Sequence, residues 1–118
     1  MSFIYHIATA EDWARARADG QYRTSTRGVT IAEQGFIHCS TAAQVGPAAN
    51  LYYKGLPDLL VLVIDTGRVQ HEIRFEHAPG SDELFPHIYG PLNADAVVQT
   101  SRLAPGRDGQ FSFDAREG

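Results

Sequence analysis

LLVLVI, residues 59 to 64, is the stretch that most limits what this chain can become. A continuous apolar run offers no polar side for either a helix or a strand to expose. It is far too short for a bilayer, whose helical spans take about 20 residues. Flanked upstream by Gly55 and Pro57 and closed by Asp65, it reads as a central strand that must be covered on both faces. The rest of the chain therefore has to supply a layer for each side.

Two segments qualify as helices. Thr9 can cap a helix over Ala10 to Asp19, with Asp12 completing a capping-box-like start and Gly20 supplying a left-handed end. Ser40 or Thr41 can cap a second, running to about Lys54 before Gly55 and Pro57 stop it. Strands are expected at residues 3 to 8, 36 to 40, near Ile73 to Glu76, near Ile88 and over Ala96 to Leu103. QYRTSTRGVTIAEQ, residues 21 to 34, reads as a polar excursion with limited regular structure, a length more often functional than idle. PGRDG makes a turn, after which FSF adds an edge strand. With 118 residues and no linker or repeat, the expectation is one α+β domain over 1–118. Its core spans about 3–104, with 105–118 as a C-terminal extension or edge strand.

The histidines break the apolar pattern. IYHIA, GFIHCS and FPHIYGPL each carry one between apolar neighbours, at His6, His38 and His87, whereas His71 and His77 sit in polar company. By strand period His6 shares a face with Ile4 and Ala8, His38 with Phe36 and Ser40, and His87 with Phe85 and Tyr89. Any one of them could be a core histidine satisfied by carbonyls or hydroxyls. Together they lie at segment ends that open onto turns or helix caps, where clefts form, and Gly90 and Pro91 beside His87 would let a ligand approach the backbone. Zinc could take three imidazoles plus water, but no pair has the short spacing that sets two ligands on one helix or hairpin.

Other candidates divide between chemistry and structure. Cys39 falls on the strand face opposite His38 and reads as buried and inert; as the single cysteine it excludes an internal disulfide. Ser40 and Thr41 are hydroxyl donors or helix caps, and a helix start at a cleft would suit an anion. Arg23 and Arg27 flank TST and would suit phosphates, or are solvated loop charges. Glu83, just before FPHIYG, could orient an imidazole or accept a ribose hydroxyl. A net charge of −4 argues against nonspecific nucleic-acid binding, leaving RNA only as an end substrate. No signal peptide or membrane span is evident, so a cytoplasmic location is expected.

Through IYHIA, EDW, QYR, GFIHCS and ELFPHIYGPL the chain resembles the domain of unknown function 952 family of bacteria, over about Phe3 to Leu103. That family looks like a compact relative of the ADP-ribosyltransferase fold and of its RNA 2'-phosphotransferases. The resemblance implies a small split mixed β-sheet with two main helices and a cleft for NAD or an ADP-ribose-like nucleotide, as substrate or ligand with no further cofactor required. It implies that His6 holds a ribose or phosphate, and that His38 and Ser40 flank the nicotinamide pocket. His87 and Tyr89 stand where active transferases carry a glutamate, unless Glu83 folds back into that role. The expected function is a nucleotide-directed enzyme acting on NAD, ADP-ribose or a 2'-phosphorylated nucleotide. Three other readings stand beside it: a noncatalytic ligand-binding module, a metal-dependent hydrolase, and an interaction domain with structural histidines.

Overall fold

The structure, a computed structural model, describes residues 2–26, 28–78 and 80–114. The chain runs through β1 (Phe3–Thr9), α1 (Ala10–Asp19), β2 (Gln21–Tyr22), β3 (Thr24–Thr26), β4 (Val29–Thr30), a single-turn α2 (Ile31–Gln34) and β5 (Ile37–His38). It continues through α3 (Ala42–Tyr52), β6 (Leu59–Asp65), β7 (Ile73–His77), β8 (Leu84–Ile88), β9 (Leu92–Asn93) and β10 (Val97–Leu103).

β6 is the apolar run, and it is central: β1 and β10 flank it in one sheet. A second sheet has the order β5-β8-β7, and two short pairs, β2-β9 and β3-β4, complete the fold. Alternation along β6 divides the core. Leu59, Val61 and Val63 pack with Tyr5, Ile7 and Leu103 against Val45, Ala48 and Ala49 of α3. Leu62 and Ile64, on the other face, pack with Ile4 and Ala8 against Ile37 and Ile88 of the second sheet. Each side chain fully withdrawn from water contributes about 1.5–3 kcal/mol, so a polar substitution at Leu59, Val61, Leu62 or Ile64 removes an anchor from one face of the core.

The sheet is split, as expected, but it is not mixed: every pairing between described strands is antiparallel. The helices explain why. α1 leads from the β6 sheet to β2, and α3 leads from β5 into β6. Neither crosses back into its own sheet, as parallel neighbours require.

α1 follows its sequence signals. Thr9 Oγ1 accepts from the Asp12 N–H at 3.1 Å, and Gly20 ends the helix at φ 86°, donating to the Ala16 carbonyl. Residues 21 to 34 are more regular than expected: β3 and β4 pair, and Thr30 and Glu33 cap the single turn of α2 reciprocally. FSF forms no strand in its described residues. Instead the Asn50 amide takes both backbone groups of Phe111, at 3.0 and 2.7 Å, and Phe111 sinks into the α3 side of the core. Among the described residues no helix is long and apolar enough to cross a membrane.

Candidate functional site: a carboxylate–imidazole–imidazole line

Strand register brings two of the histidines together. In the second sheet His38 pairs with His87, and the next residue, Cys39, donates its N–H to the Pro86 carbonyl at 2.9 Å. Cys39 and Pro86 thus face each other through their backbone groups. Alternation makes His38 and His87 the closer, non-hydrogen-bonded pair, whose side chains meet. Their rings do: His38 Nδ1 lies 3.2 Å from His87 Nε2.

The line continues into β7. Arg74 is opposite His87 and Glu76 opposite Phe85, so Glu76 is a diagonal neighbour of His87 on one sheet face. Glu76 Oε1 accepts from His87 Nδ1 at 3.0 Å and also from the Tyr89 hydroxyl. The Arg74 guanidinium stacks 4.6 Å above the Tyr89 ring and pairs with Glu72. Hydrogen bonds from Tyr89, then from His87, hold the Glu76 carboxyl below its ordinary range; donating to Glu76 pushes the Tyr89 phenol up.

Donor and acceptor roles follow from Glu76. An ionised carboxylate only accepts, so His87 Nδ1 carries a proton. With His87 neutral, its Nε2 accepts from His38 Nδ1–H, and His38 Nε2 is left as a lone pair. That nitrogen is itself buried, and nothing among the described residues bonds it. Burial first, and the nearby His87 second, push His38 down to about 4. It is therefore neutral at neutral pH. His38 and His87 line a hollow of about 390 Å³ with Phe36 and Tyr52, walled on one side by Thr26 and Val29 from the β3-β4 hairpin. Phe36 meets the His87 ring edge-on at 3.9 Å, and Phe85 lies 5.0 Å from His38.

His6 does not join them. It is 1% exposed, and both its nitrogens are engaged: Nδ1 with the His38 carbonyl at 2.6 Å, Nε2 with the Tyr22 hydroxyl at 3.0 Å. Since a carbonyl only accepts, Nδ1 carries the proton and Nε2 accepts from Tyr22. Desolvation lowers His6 to about 4, against a smaller raising effect of the carbonyl contact. Its work is to hold β5. The His38 N–H and C=O point away from β8, and the Ser25 hydroxyl and the His6 ring receive them. The three imidazoles therefore do not converge on one point, and the three-histidine zinc arrangement is not formed.

The remaining candidates scatter. Ser40 is buried and joins the two large sheets through a backbone bridge to Tyr5. Thr41 stands at the start of α3, where the Gln44 side chain accepts its N–H at 3.0 Å, and it does not line the imidazole hollow. Arg23 is paired with Asp19 at 2.5 Å and borders a different hollow, of about 500 Å³, with Tyr22 between it and His6. Arg27 lies outside the described residues. Glu83 does not fold back towards His87; its carboxylate meets Gln44 at 3.4 Å. Cys39 is buried, which pushes its thiol up.

Gly90 also differs from expectation. A side chain there would meet the His71 ring, whose Cγ would lie 2.2 Å from the new Cβ, so His71 fills the space expected for a ligand. Gly90→Ala is expected to destabilise the fold by about 1–2 kcal/mol through this overlap. Adding His71→Ala should recover most of the loss in denaturant unfolding. Equal losses in the single and double variants would refute the contact.

The residue that sequence reasoning missed is Glu76. The available signal was period: in IRFEH, Arg74 and Glu76 share one strand face, opposite Ile73 and Phe75.

The same arrangement of elements recurs in solved structures. Protein CC0527 from Caulobacter crescentus is 27% identical in its crystal structure, with 94% of each chain covered and a TM-score of 0.81. A double-methionine variant of it gives 27%, 94% of each chain and 0.80. Its solution NMR structure gives 28% identity, 93% of this chain, 91% of that one and 0.76. No curated protein matches. A family profile covers residues 7–100, which include His38, Glu76 and His87, and the chain belongs to that family, described as Protein of unknown function (DUF952).

Proposed function

We propose that this chain is a nucleotide-directed enzyme in which His38 Nε2 takes a proton from a substrate hydroxyl. The observation that carries the reading is the Glu76–His87–His38 line, which ends beside the hollow in a buried nitrogen with no partner among the described residues. As the substrate O–H bond breaks, its proton binds His38 Nε2. The His38 Nδ1 proton passes to His87 Nε2, and the positive charge comes to rest on His87 beside the Glu76 carboxylate. Depressed basicity alone would make His38 a weak base; the line compensates by moving the charge away from the desolvated ring. His87 and Glu76 act through His38 and are positioning residues.

The substrate class rests on three supports. Phe36 and Tyr52 give the hollow aromatic walls suited to a planar base or nicotinamide ring. A ribose offers the hydroxyl. The motifs resemble those of ADP-ribosyltransferase-like folds, although His87 of β8 and Tyr89 just after it stand where active transferases carry a glutamate. A phosphate leaving the hollow along the sheet face would meet Arg74, the cation stacked on Tyr89.

The test is to incubate the protein with NAD, ADP-ribose and 2'-phosphorylated RNA and follow products by mass spectrometry. Turnover is expected with at least one, reduced a hundredfold or more by His38→Ala and about tenfold by Glu76→Gln. Failure of all three to bind at millimolar concentration would remove the nucleotide class. A second reading, a noncatalytic binding module, is favoured by the low basicity of His38, at about 4, which suits a hydrogen-bond acceptor. It predicts saturable binding without products, lost in His38→Ala.

A further inference from the structure

We propose that a second compartment, beside the imidazole hollow, binds a small apolar ammonium group. The inference stands on its own walls and does not need His38 to be catalytic. α3 contributes one wall through Pro47, Ala48, Leu51 and Tyr52, spaced so that they share a helix face. Phe85 and Glu83 form part of the opposite wall, enclosing about 160 Å³. That volume suits one ring or a short hydrocarbon chain, not a nucleotide. Tyr52 and Ala78 line both hollows, so ligands in the two would lie side by side.

Two observations specify the occupant. The first is apolar surface left in water along this wall: Leu51 is 72% exposed and Tyr52 38%. Apolar side chains clustered at the rim of a hollow mark a ligand site more often than isolated ones do. The second is charge. Glu83 is paired with no cation among the described residues. Its carboxylate has one long contact, from Gln44 Nε2 at 3.4 Å. Gln44 itself is fully used, donating to the Leu84 carbonyl at 3.0 Å and accepting from Thr41. An apolar cavity edged by an exposed carboxylate that has no cation partner among the described residues complements an ammonium on a hydrocarbon body; an alcohol would fill the space without the charge attraction.

Benzylamine is the probe, with benzyl alcohol as its uncharged counterpart, each titrated at neutral pH and followed by amide shifts in proton–nitrogen spectra. Saturable shifts are expected over residues 48–52 and 80–85, with the amine binding at least fivefold more tightly than the alcohol. Glu83→Gln, an exposed substitution, should remove that fivefold preference while leaving alcohol binding unchanged. His38→Ala should leave both ligands bound. Equal affinities for the two probes, an unchanged preference in Glu83→Gln, shifts that do not saturate, or loss of amine binding in His38→Ala would each overturn the proposal. Absence of nucleotide turnover would leave all four readouts untouched, so the two readings fail separately.

Discussion

Replacing His6 with alanine is expected to destabilise the folded state by about 3–5 kcal/mol, although no part of its ring reaches the hollow. Two effects add. The truncation empties a space deep in the core, where Ile4, Ala8 and Leu62 surround the strand. It also strands two polar groups: the His38 carbonyl and the Tyr22 hydroxyl both lose the ring nitrogen that now meets them, at 2.6 and 3.0 Å. An unmatched buried polar group costs about 1–3 kcal/mol, more than the net gain from a typical hydrogen bond, because water cannot replace the partner. Ser25→Ala, which removes only the acceptor of the His38 N–H at 3.3 Å, should cost less, about 1–2 kcal/mol. Urea unfolding curves measure both, and an unchanged denaturant slope would locate the effect in the native state. A loss below about 1 kcal/mol for His6→Ala would mean that β5 is held by something other than this ring.

That contrast between His6 and His38 explains what could be read in the chain before its fold was known. Period and capping were legible because they are local. LLVLVID had to be a two-sided strand, Thr9 and Gly20 bracketed α1, and alternation put Phe36, His38, Phe85, His87 and Tyr89 on the correct faces. Which histidine served the site was not legible, because it depends on pairing between segments distant in the chain. His6 and His38 have the same kind of neighbours in sequence. One lies in β1 against β6, sealed between two sheets; the other lies in β5, whose partner β8 carries His87 at the same rung. Glu76 was missed for the same reason. Its role needs the β7–β8 register, and a glutamate in a strand otherwise reads as a solvated face. The β3-β4 hairpin was hidden by its polarity: Thr24, Ser25 and Thr26 look like loop, yet Ser25 is fully buried to serve the His38 backbone.

Acid should unfold this protein in a window set by its neutral buried histidines. His6 and His38 are both lowered from the ordinary 6.5 to about 4, in each case chiefly by desolvation. A folded-state pKa below the unfolded one means that the unfolded chain takes protons first. Stability is therefore whole above about pH 6.5 and is lost progressively as pH falls towards 4. For His6, fully enclosed, the displacement corresponds to about 3 kcal/mol lost across that window. His38 borders the hollow and adds a smaller amount, because solvent there screens the charge. Below pH 4 Glu76 extends the loss in the same direction, since its carboxyl is held low in the fold and protonation would release Tyr89 and His87. The expected record is an unfolding free energy that slopes by up to two protons between pH 6.5 and 4. The imidazole resonances of His6 and His38 should titrate near 4 in the intact protein. His38→Gln should flatten part of the slope while leaving the His6 resonance in place. A flat profile down to pH 5, or a His6 resonance titrating near 6.5, would show that the ring is hydrated and that its bonds to Tyr22 and the His38 carbonyl do not hold it neutral. The same titration bears on the hollow. With His38 Nε2 unprotonated down to about pH 4, a ligand donating to that nitrogen should bind almost independently of pH from 7 to 5, then fail as the protein itself approaches acid unfolding.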